Sequence, residues 1–489
     1  MKEKILIPYA PILVESTRSI GYSFESALAD IIDNSISKNA TVIDIKFKTV
    51  GNPYVAVIDD AEGMSEEELE IAMRYGSKSS LDERDENDLG RFGLGLKMAS
   101  LSQCRKLTVV SKKNNEINAA RWDLDHIIEK GDWSLQYYNQ NEIDEFVHID
   151  ELYLKESGTI VIWEEFDRLA NGSINLQKIL EEKIEIANKH IALVFHRFLG
   201  NENKFKPLKI FFNNDKVTPI DPFLSNNPAT QPLIEQSIRV MNSEITIKPY
   251  ILPYVSKLTS NDKKQIGDIN DLRQNQGFYI YRNKRLILWG TWFRLLKQYE
   301  LNKLARIRVD IPNTLDSIWE IDIKKSTASL PDVLKRSLIN VVENTVGKSE
   351  KVYKYRGRKL DTSDIQHVWN TVENRGKIQY LINRELPFYK MIEDKLDEQG
   401  MKYLDSFIKT IEDSFPFGDV YYRMAKNESG TVTETLDYDE VYNIALNMID
   451  SIRDTGNDLN LFINNMHQID FFIKYPEIIK KIKEDFLNE

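Results

Sequence analysis

Asp30 and Asn34 form the first pair of residues in this sequence whose types and spacing could do chemistry. They lie in ADIIDNSISKNA, residues 29–40, where apolar residues recur at helical spacing. Residues four apart share one face of a helix, so the two side chains point the same way. The pair can be an ordinary solvated stripe, or it can hold a cation and a water molecule. This segment alone leaves both interpretations open.

A carboxylate and a glycine follow in VIDDAEGM, residues 57–64. Asp59 ends an apolar strand, where it could accept a hydrogen bond from an exocyclic amine such as adenine N6 at the floor of a pocket. Gly63 would let a flat ring approach the backbone closely. Ordinary strand-to-helix turns use the same residue types, and taken alone the stretch favours that simpler interpretation.

Three glycines and a lysine make up the third candidate, LGRFGLGLKMAS, residues 89–100. Gly90, Gly93 and Gly95 precede a predicted helix whose first turn holds Lys97. Free backbone N–H groups at a helix start attract phosphates, and a lysine adds a compact positive charge. The pattern fits neither a Walker loop nor a dinucleotide fingerprint, and a flexible hinge would have the same composition.

The elements that must position these residues alternate between helix and strand. Ser65 and Glu68 have the spacing of a capping box, which predicts a helix start at Ser65. The polar stretch 77–91 has no period and is predicted to be a loop. Helices are predicted at 24–36 and 96–104, and strands at 41–50, 54–60, 106–112 and 159–166. This alternation predicts a layered α/β or α+β sandwich to about residue 170.

A second unit is predicted after a long helical segment at 176–199. Its strands are predicted at 207–212, 245–252, 277–288 and 305–312, with a closing helix at 331–346. The remainder, 362–489, is mostly helical by pattern and carries no motif with an evident chemistry.

Composition limits the class of protein. A chain of 489 residues with 42% hydrophobic and 29% charged residues is expected to form two or three globular domains. The single cysteine, Cys104, excludes a disulfide framework or a thiolate zinc site built from one chain. No signal peptide and no apolar run of about 18 residues is visible, so a cytoplasmic protein without a membrane span is expected.

Charge is distributed unevenly along the chain. The net charge of −11 argues against a generic nucleic-acid coat. Two stretches are nevertheless locally basic, 282–308 and 335–359, the second ending in KYRGRK. A basic surface for double-stranded DNA is therefore predicted around Arg282, Lys284 and Arg285 together with 354–359. Arg282 and Arg285 could equally be partners in structural ion pairs.

The order of the motifs, completed by ESGT at 156–159 before a strand, resembles the GHKL ATPase superfamily. Its members include topoisomerase ATPase subunits, MutL proteins, heat-shock chaperones of that fold and histidine kinases. The resemblance is strong over 20–170 and weaker over 200–345. It implies an α+β chain: a Bergerat-type ATP-binding domain at 1–175, a transducer domain at 176–350 and a mostly helical region at 351–489.

Roles for individual residues come from this resemblance. Asn34 matches the Mg²⁺-binding asparagine, and Asp30 lies where hydrolytic members have the glutamate that activates water. Asp59 matches the adenine-binding aspartate. Gly63, Met64 and Thr159 match its neighbours in the adenine site. The residues that match the phosphate-binding lid and the helix after it are Lys78, Gly90, Gly93, Leu94, Gly95 and Lys97. The implied cofactors are ATP and Mg²⁺.

Two positions depart from the superfamily pattern. Asp30 is one methylene shorter than glutamate, so the attacking water must lie nearer the helix or hydrolysis will be slow. Ala61 replaces the first glycine of the expected Asp-x-Gly-x-Gly turn. Alanine is tolerated there only if its φ is negative.

The second unit resembles the transducer domain of the topoisomerase, MutL and MORC branch through RNKRLI (282–287), Gly290 and Trp292. In that branch a downstream lysine reaches the γ-phosphate. Lys325 in WEIDIKKSTASLP (319–331) is the predicted equivalent, with Lys324 as the alternative because neighbours on an extended segment point opposite ways. A basic loop without a phosphate contact would show the same pattern.

SxRSIGY (16–22), ALADIIDNSISKNA (27–40) and INRELP (382–387) resemble a prokaryotic MORC-like and MutL-like group associated with restriction–modification and anti-phage gene clusters. The resemblance implies a Mg²⁺-dependent ATPase whose ATP-driven homodimer clamps or remodels DNA, with a partner nuclease or helicase. The alternatives are an ATP-dependent switch that does not hydrolyse ATP and a chaperone-like ATPase. A histidine kinase is disfavoured because no histidine precedes the first helix.

Overall fold

The chain divides into two compact units, 1–354 and 355–489, which are described separately. The structure is a computed structural model. It describes residues 3, 8–19, 21–76, 95–170, 175–200, 207–241, 243–254, 257–267, 269–298, 302–316, 319, 330–354, 365–374, 377–417, 436–455 and 458–487.

An eight-stranded mixed sheet forms the centre of the first unit. Its strands are β1 (Val42–Lys48), β2 (Tyr54–Asp59), β3 (Lys106–Lys113), β4 (Glu116–Asp123), β5 (Gln136–Tyr137), β6 (Gly158–Glu164), β7 (Lys209–Phe212) and β8 (Asp215–Lys216). Their order across the sheet is β5-β4-β3-β6-β2-β1-β7-β8. β1 and β2 are antiparallel neighbours, so the two strands nearest the first two motifs lie side by side.

Helices lie on both faces of this sheet, and most of them build the larger core on one face. They are α1 (Ala10–Arg18), α2 (Phe24–Ser37), α3 (Glu66–Met73), α4 (Gly95–Gln103), α5 (Leu124–Lys130), α6 (Gln140–Ile143), α7 (Ile149–Tyr153), α8 (Asp167–Ala170), α9 (Leu176–Val194) and α10 (His196–Leu199). Residues of α1 to α5 and α9 belong to the main core. Residues of α6 and α7 form a smaller core on the other face, where they meet Ala56 and Ile58 of β2.

Local sequence explains where the helices near the first motifs begin. The side chain of Ser23 caps α2 by accepting a hydrogen bond from the Ser26 amide. The predicted capping box at Ser65 and Glu68 is confirmed, with both reciprocal hydrogen bonds formed at the start of α3. These caps fix the ends of the two helices that flank β1 and β2 in sequence.

Arg18 of the SxRSIGY motif links α1 to α4. Its guanidinium is buried and donates hydrogen bonds to the carbonyl of Leu101 and to the carboxylate of Asp167. The Leu101 carbonyl lies in the last turn of α4, where carbonyl groups lack partners within the helix. The arginine therefore serves the packing of the domain, and its contacts with Leu101 and Asp167 lie outside the predicted nucleotide site.

The strand β7 corrects one sequence-based assignment. The segment 207–212 was predicted to open the second unit, but β7 pairs in parallel with β1 and completes the first sheet. Residues of α9 and β7 also belong to the main core of that sheet. Pattern alone could not show this, because a short apolar strand carries no information about its partner.

A second sheet of six strands follows within the first unit. Its members are β9 (Gln231–Pro232), β10 (Gln236–Val240), β11 (Ser243–Ile251), β12 (Gly277–Arg282), β13 (Arg285–Thr291) and β14 (Ala305–Ile311). The order is β10-β11-β14-β12-β13, with β9 beside β11. Three helices accompany it, α11 (Ser260–Ile266), α12 (Ile269–Gln274) and α13 (Asp332–Lys354), and α13 contributes to its separate core.

The unit 355–489 is mostly helical, as predicted. A two-stranded sheet of β15 (Trp369–Asn374) and β16 (Lys377–Ile382) precedes the helices α14 (Pro387–Lys395) and α15 (Glu398–Asp413). Further helices lie at Tyr438–Thr455, Leu459–Asn465, Asp470–Ile473 and Pro476–Phe486. Within the described ranges of the whole chain, none of the helices has the length and apolar character to span a membrane.

Candidate nucleotide-binding site

Asp59 lies at the end of β2 with its carboxylate buried. One oxygen, Oδ1, accepts hydrogen bonds from the backbone amides of Thr159 (3.0 Å) and Ala61 (3.1 Å). The other, Oδ2, accepts one from the hydroxyl of Ser35 at 2.6 Å. A carboxylate offers about four acceptor positions, so these three donors leave one for an amino group of a ligand.

The environment of Asp59 favours its protonated form. Burial raises the pKa of its carboxyl above the usual range, and the hydrogen bonds from Ser35, Ala61 and Thr159 act in the opposite direction. The Ala61 amide is one of these donors, and Ala61 is absent from the described residues with positive φ. The condition for alanine at this position is therefore met.

Thr159 and Met64 are joined to the same pocket floor through Ser111 of β3. The hydroxyls of Ser111 and Thr159 lie 2.8 Å apart, and the Met64 amide donates to the Ser111 hydroxyl at 2.8 Å. β3 and β6 are antiparallel neighbours, and their register places Ser111 opposite Thr159. Three sequence-predicted residues, Asp59, Met64 and Thr159, thus lie on one continuous hydrogen-bonded framework.

Gly63 permits the close contact that holds this framework together. Its φ is +66°, and a Cβ at this position would lie 1.9 Å from the carbonyl oxygen of Lys112. Only glycine therefore lets the turn after β2 rest directly against β3. The sequence predicts that this glycine lets a ligand ring approach the backbone. In the structure, the nearby backbone of Lys112 also requires a glycine at this position.

Asp30 faces the start of α4 from the middle of α2. A Cβ added to Gly95 would lie 3.5 Å from Oδ2 of Asp30, so the first residue of α4 is directly beside the carboxylate. The Tyr22 hydroxyl donates to the same oxygen at 3.1 Å. Asp30 is thus buried yet next to the helix start that was predicted to bind phosphate.

Asn34 lies one helical turn after Asp30 and is exposed. Among the residues that the structure describes, no group of three or more His, Cys, Asp or Glu side chains could hold a metal ion. A single exposed amide oxygen instead suits Mg²⁺, which commonly keeps several waters and takes one or two protein ligands together with substrate phosphates. The donor set therefore fits Mg²⁺ held mainly by a nucleotide.

Lys97 has a partner within the domain. Its ammonium is buried and donates to the carbonyl of Ala72, in α3, at 2.8 Å. Burial lowers the pKa of Lys97 to about 8. A phosphate role for Lys97 stays a prediction. In this structure its ammonium joins α4 to α3.

The other predicted phosphate ligands lie outside the described residues. These are Lys78, Gly90, Gly93, Leu94 and Lys325, with its alternative Lys324. Their roles remain predictions from the resemblance.

Arg285 is a site residue that the sequence reasoning assigned to a different role. It lies at the start of β13 in the second sheet, yet its Nε is 2.6 Å from Oδ2 of Asp33 on α2. A separation of 252 positions along the chain gives no sequence signal for this contact.

The predicted DNA surface needs correction at two positions. Arg282 and Arg285 are both buried, Arg282 in an ion pair with Asp316 and Arg285 in one with Asp33. Neither guanidinium is available to a DNA phosphate, so the prediction is wrong for these two arginines. Only Lys284 of the three is exposed, and it too has partners.

The sheet, α2 and the buried carboxylate at the end of β2 are the features expected of the nucleotide-binding domain of the GHKL superfamily. In agreement, residues 22–159 match the family described as "Histidine kinase-, DNA gyrase B-, and HSP90-like ATPase". The predicted superfamily and α+β fold class are thus confirmed, and within the superfamily the sequence is similar to the MutL branch.

Three relatives illustrate that similarity. The DNA mismatch repair protein MutL of Rickettsia prowazekii (strain Madrid E) is 35% identical over 89 residues, 18% of this chain and 15% of the relative. The MutL of Rickettsia bellii (strain OSU 85-389) is 32% identical over 95 residues, 19% and 16% of the two chains. That of Rickettsia africae (strain ESF-5) is 31% identical over 91 residues, 18% and 15%. The matched part is therefore a small fraction of each relative.

Proposed function

We propose that this protein is a Mg²⁺-dependent ATPase. The observation that carries the proposal is the position of α2, which contacts both ends of the candidate site. Its Ser35 donates to the carboxylate of Asp59, and its Asp30 lies beside Gly95 at the start of α4. One helix thus joins a base-recognising acceptor to a helix start suited to phosphate.

Recognition of adenine is assigned to Asp59. Its remaining acceptor position would take the exocyclic amine, while the Thr159 amide and the Ser35 hydroxyl hold the carboxylate in place. A guanine carries a carbonyl at the equivalent position, and an acceptor facing an acceptor would be repelled. The site is therefore expected to prefer ATP over GTP.

Hydrolysis is assigned to Asp30 as the general base. A general base must lie within hydrogen-bond reach of the proton that it removes, directly or through one water. Asp30 lies next to the phosphate-binding helix start, and the Tyr22 hydroxyl orients one of its oxygens. Asn34 would hold Mg²⁺, which neutralises phosphate charge when bound.

A larger role is proposed from the resemblance and the named relatives. ATP binding would drive homodimerisation, and the dimer would clamp or remodel double-stranded DNA with a partner nuclease or helicase in defence against foreign DNA. The relatives are named as DNA mismatch repair proteins, which supports DNA as a partner. Lys325 of the predicted transducer domain would complete the site.

A switch that binds ATP without turnover is the second candidate. Asp30 is shorter than the glutamate of hydrolytic members, and its carboxylate is already engaged by Tyr22 and lies 4.0 Å from Arg285. These contacts favour a carboxylate that is held away from water.

Measuring ATP turnover by the purified protein, with and without duplex DNA, distinguishes the two candidates. The ATPase proposal predicts phosphate release that depends on Mg²⁺ and exceeds that of Asp30→Ala. Tight ATP binding with no phosphate release under either condition would establish the switch instead. Absence of ATP binding would refute both.

A further inference from the structure

A buried arginine of the second sheet, Arg285, contacts the helix that carries the proposed catalytic base. Nε of Arg285 lies 2.8 Å from Oδ1 and 2.6 Å from Oδ2 of Asp33. Nη2 of Arg285 is 4.0 Å from Oδ1 of Asp30. The side chains of Arg285, Asp33 and Asp30 are only 5%, 1% and 5% exposed. This charged cluster joins α2, which packs on the first sheet, to β13 of the second sheet.

The geometry of the hairpin formed by β12 and β13 explains how Arg285 reaches α2. β12 and β13 are joined by the two-residue turn Asn283–Lys284, whose residues have φ values of +48° and +70°. Such tight turns fix the register of the hairpin and the directions of the flanking side chains. Arg285 follows the turn directly, so its position is determined by the second sheet rather than by α2.

Further contacts restrict the guanidinium once it has reached α2. Its central carbon, Cζ, lies 5.6 Å from the centre of the Phe195 ring, and its Nη1 donates a hydrogen bond to the carbonyl of Leu286 at 3.1 Å. Burial, and secondarily the charge of Arg285, lower the pKa of the nearby His190 to about 4. His190 is therefore neutral at neutral pH and does not replace the positive charge of Arg285.

We propose that Arg285 is a positioning residue for the hydrolytic site. By binding Asp33, it fixes the turn of α2 that carries Asp30 and makes that geometry depend on the position of the second sheet. Asp30 and Asp33 lie three residues apart on a helix, so they share a face and one rigid turn. The inference rests on the proposed ATPase function for its consequence but not for the contact itself.

The expected cost of losing this contact follows from two principles. Removing one partner of a buried ion pair leaves an uncompensated charge, which the surrounding structure accommodates by moving. A displacement of about 1 Å in a catalytic group can cost about 100-fold in rate. Arg285→Gln is therefore expected to lower kcat by about 10- to 100-fold while the KM for ATP changes by less than about 3-fold.

The chain offers a matched control on the other side of the same turn. Arg282 is also buried and paired, but its partner Asp316 lies after β14 of the second sheet and not on α2. Arg282→Gln removes an equivalent buried cation without touching α2. Arg285→Lys keeps a positive charge near Asp33 and should restore part of the kcat that Arg285→Gln loses. A purely structural role would not lower kcat while leaving the KM for ATP nearly unchanged.

Hydrogen exchange on the nucleotide-free protein supplies the readout that does not depend on activity. Amides 30–37 of α2 should exchange about 10-fold faster or more in Arg285→Gln, and at the wild-type rate in Arg282→Gln. If Arg285→Gln does not fold, the double variant Asp33→Asn/Arg285→Gln removes both charges, which is often tolerated, and the same exchange is measured there.

Unchanged exchange in α2, or a loss of kcat no larger than that of Arg282→Gln, would overturn the positioning role. A wild-type protein that neither binds nor hydrolyses ATP would refute the proposed function, yet the exchange comparison would still decide whether Arg285 fixes α2.

Discussion

At the scale of single residues, ionisation of the Asp59 carboxyl affects the stability of the folded protein and the binding of nucleotide in different ways. Burial raises the pKa of its carboxyl in the folded protein above the unfolded value. Its contribution to stability is therefore complete below the unfolded pKa and is lost as the pH rises through the folded pKa. At neutral pH the folded protein bears the cost of a buried carboxylate at this position.

Asp59→Asn should abolish ATP binding without destabilising the nucleotide-free protein. The amide can still accept from Thr159 and Ala61, and its NH₂ group can donate to the Ser35 hydroxyl, so the fold keeps its hydrogen bonds. An amine of adenine would however meet a donor instead of an acceptor. Calorimetric titration with ATP and thermal unfolding at two pH values measure the two effects. Normal ATP affinity would contradict the assignment.

Asp30→Ala should retain ATP binding and lose turnover. A base acts on water and does not hold the triphosphate, and loss of general-base catalysis typically lowers the rate by about 10²- to 10⁴-fold. The variant also removes the hydrogen bond that the Tyr22 hydroxyl donates to Asp30, so Tyr22→Phe is the control for that hydrogen bond. Phosphate release is measured under single-turnover conditions, and equal rates in Asp30→Ala and wild type would remove Asp30 from the mechanism.

At the scale of elements, the turn between β2 and α3 depends on a contact between backbones. Gly63→Ala places a methyl group 1.9 Å from the Lys112 carbonyl oxygen, whereas Gly51→Ala, at nearly the same φ of +76°, meets only the Lys48 side chain at 3.9 Å. A positive φ costs alanine about 1–2 kcal/mol in both cases. Overpacking should add about 1–3 kcal/mol at Gly63 alone.

Chemical unfolding of the two glycine variants tests this difference. Gly63→Ala should be the less stable variant and should also bind ATP more weakly, because the turn carries Ala61 and Met64. Equal stabilities would show that β3 moves aside freely.

Elements with strong local signals could be predicted from the sequence. The capping box at Ser65 and the strands β1, β2, β3 and β6 appear where their patterns predict them. The segment 277–288 was predicted as one strand, but it turns at Asn283–Lys284 and forms parts of two antiparallel strands, β12 and β13. β4 was missed because its alternation is interrupted, as Ala119 and Ala120 are both buried. The partner of β7 and the pairing of Arg285 with Asp33 depend on distant parts of the chain, which periodicity does not report.

At the scale of the whole molecule, nucleotide binding should change the oligomeric state. A nonhydrolysable ATP analogue with Mg²⁺ is expected to convert the protein from monomer or loose dimer to a closed dimer, because phosphate contacts favour only the closed state. Light scattering with and without the analogue measures the mass, and Asp59→Asn is the control that should not respond. An unchanged mass for wild type would contradict ATP-driven dimerisation.

DNA binding is now expected to depend on the basic segment 354–359 rather than on Arg282 and Arg285. Charge reversal to Glu at Lys354, Arg356 and Arg358 should weaken duplex binding and reduce its salt dependence, by up to about 0.9 in the logarithmic slope for each lost phosphate contact. Fluorescence anisotropy at several salt concentrations measures both. Reversal of three exposed lysines elsewhere (Lys130, Lys178 and Lys189) is the control with the same change in net charge. Equal losses in both triple variants would indicate a general charge effect.

The parallel pairing of β7 with β1 has a consequence for biosynthesis. While the chain emerges from a ribosome, β1 has no neighbour on one side until Lys209–Phe212 have been made, some 160 residues after β1 itself. Until then Ile43 and Ile45 belong to an open sheet edge, the kind of edge that pairs with other chains. A recombinant fragment that stops at residue 175 would keep this edge permanently, and one that continues past Val217 would not. Fragment solubility should therefore improve sharply between those two end points.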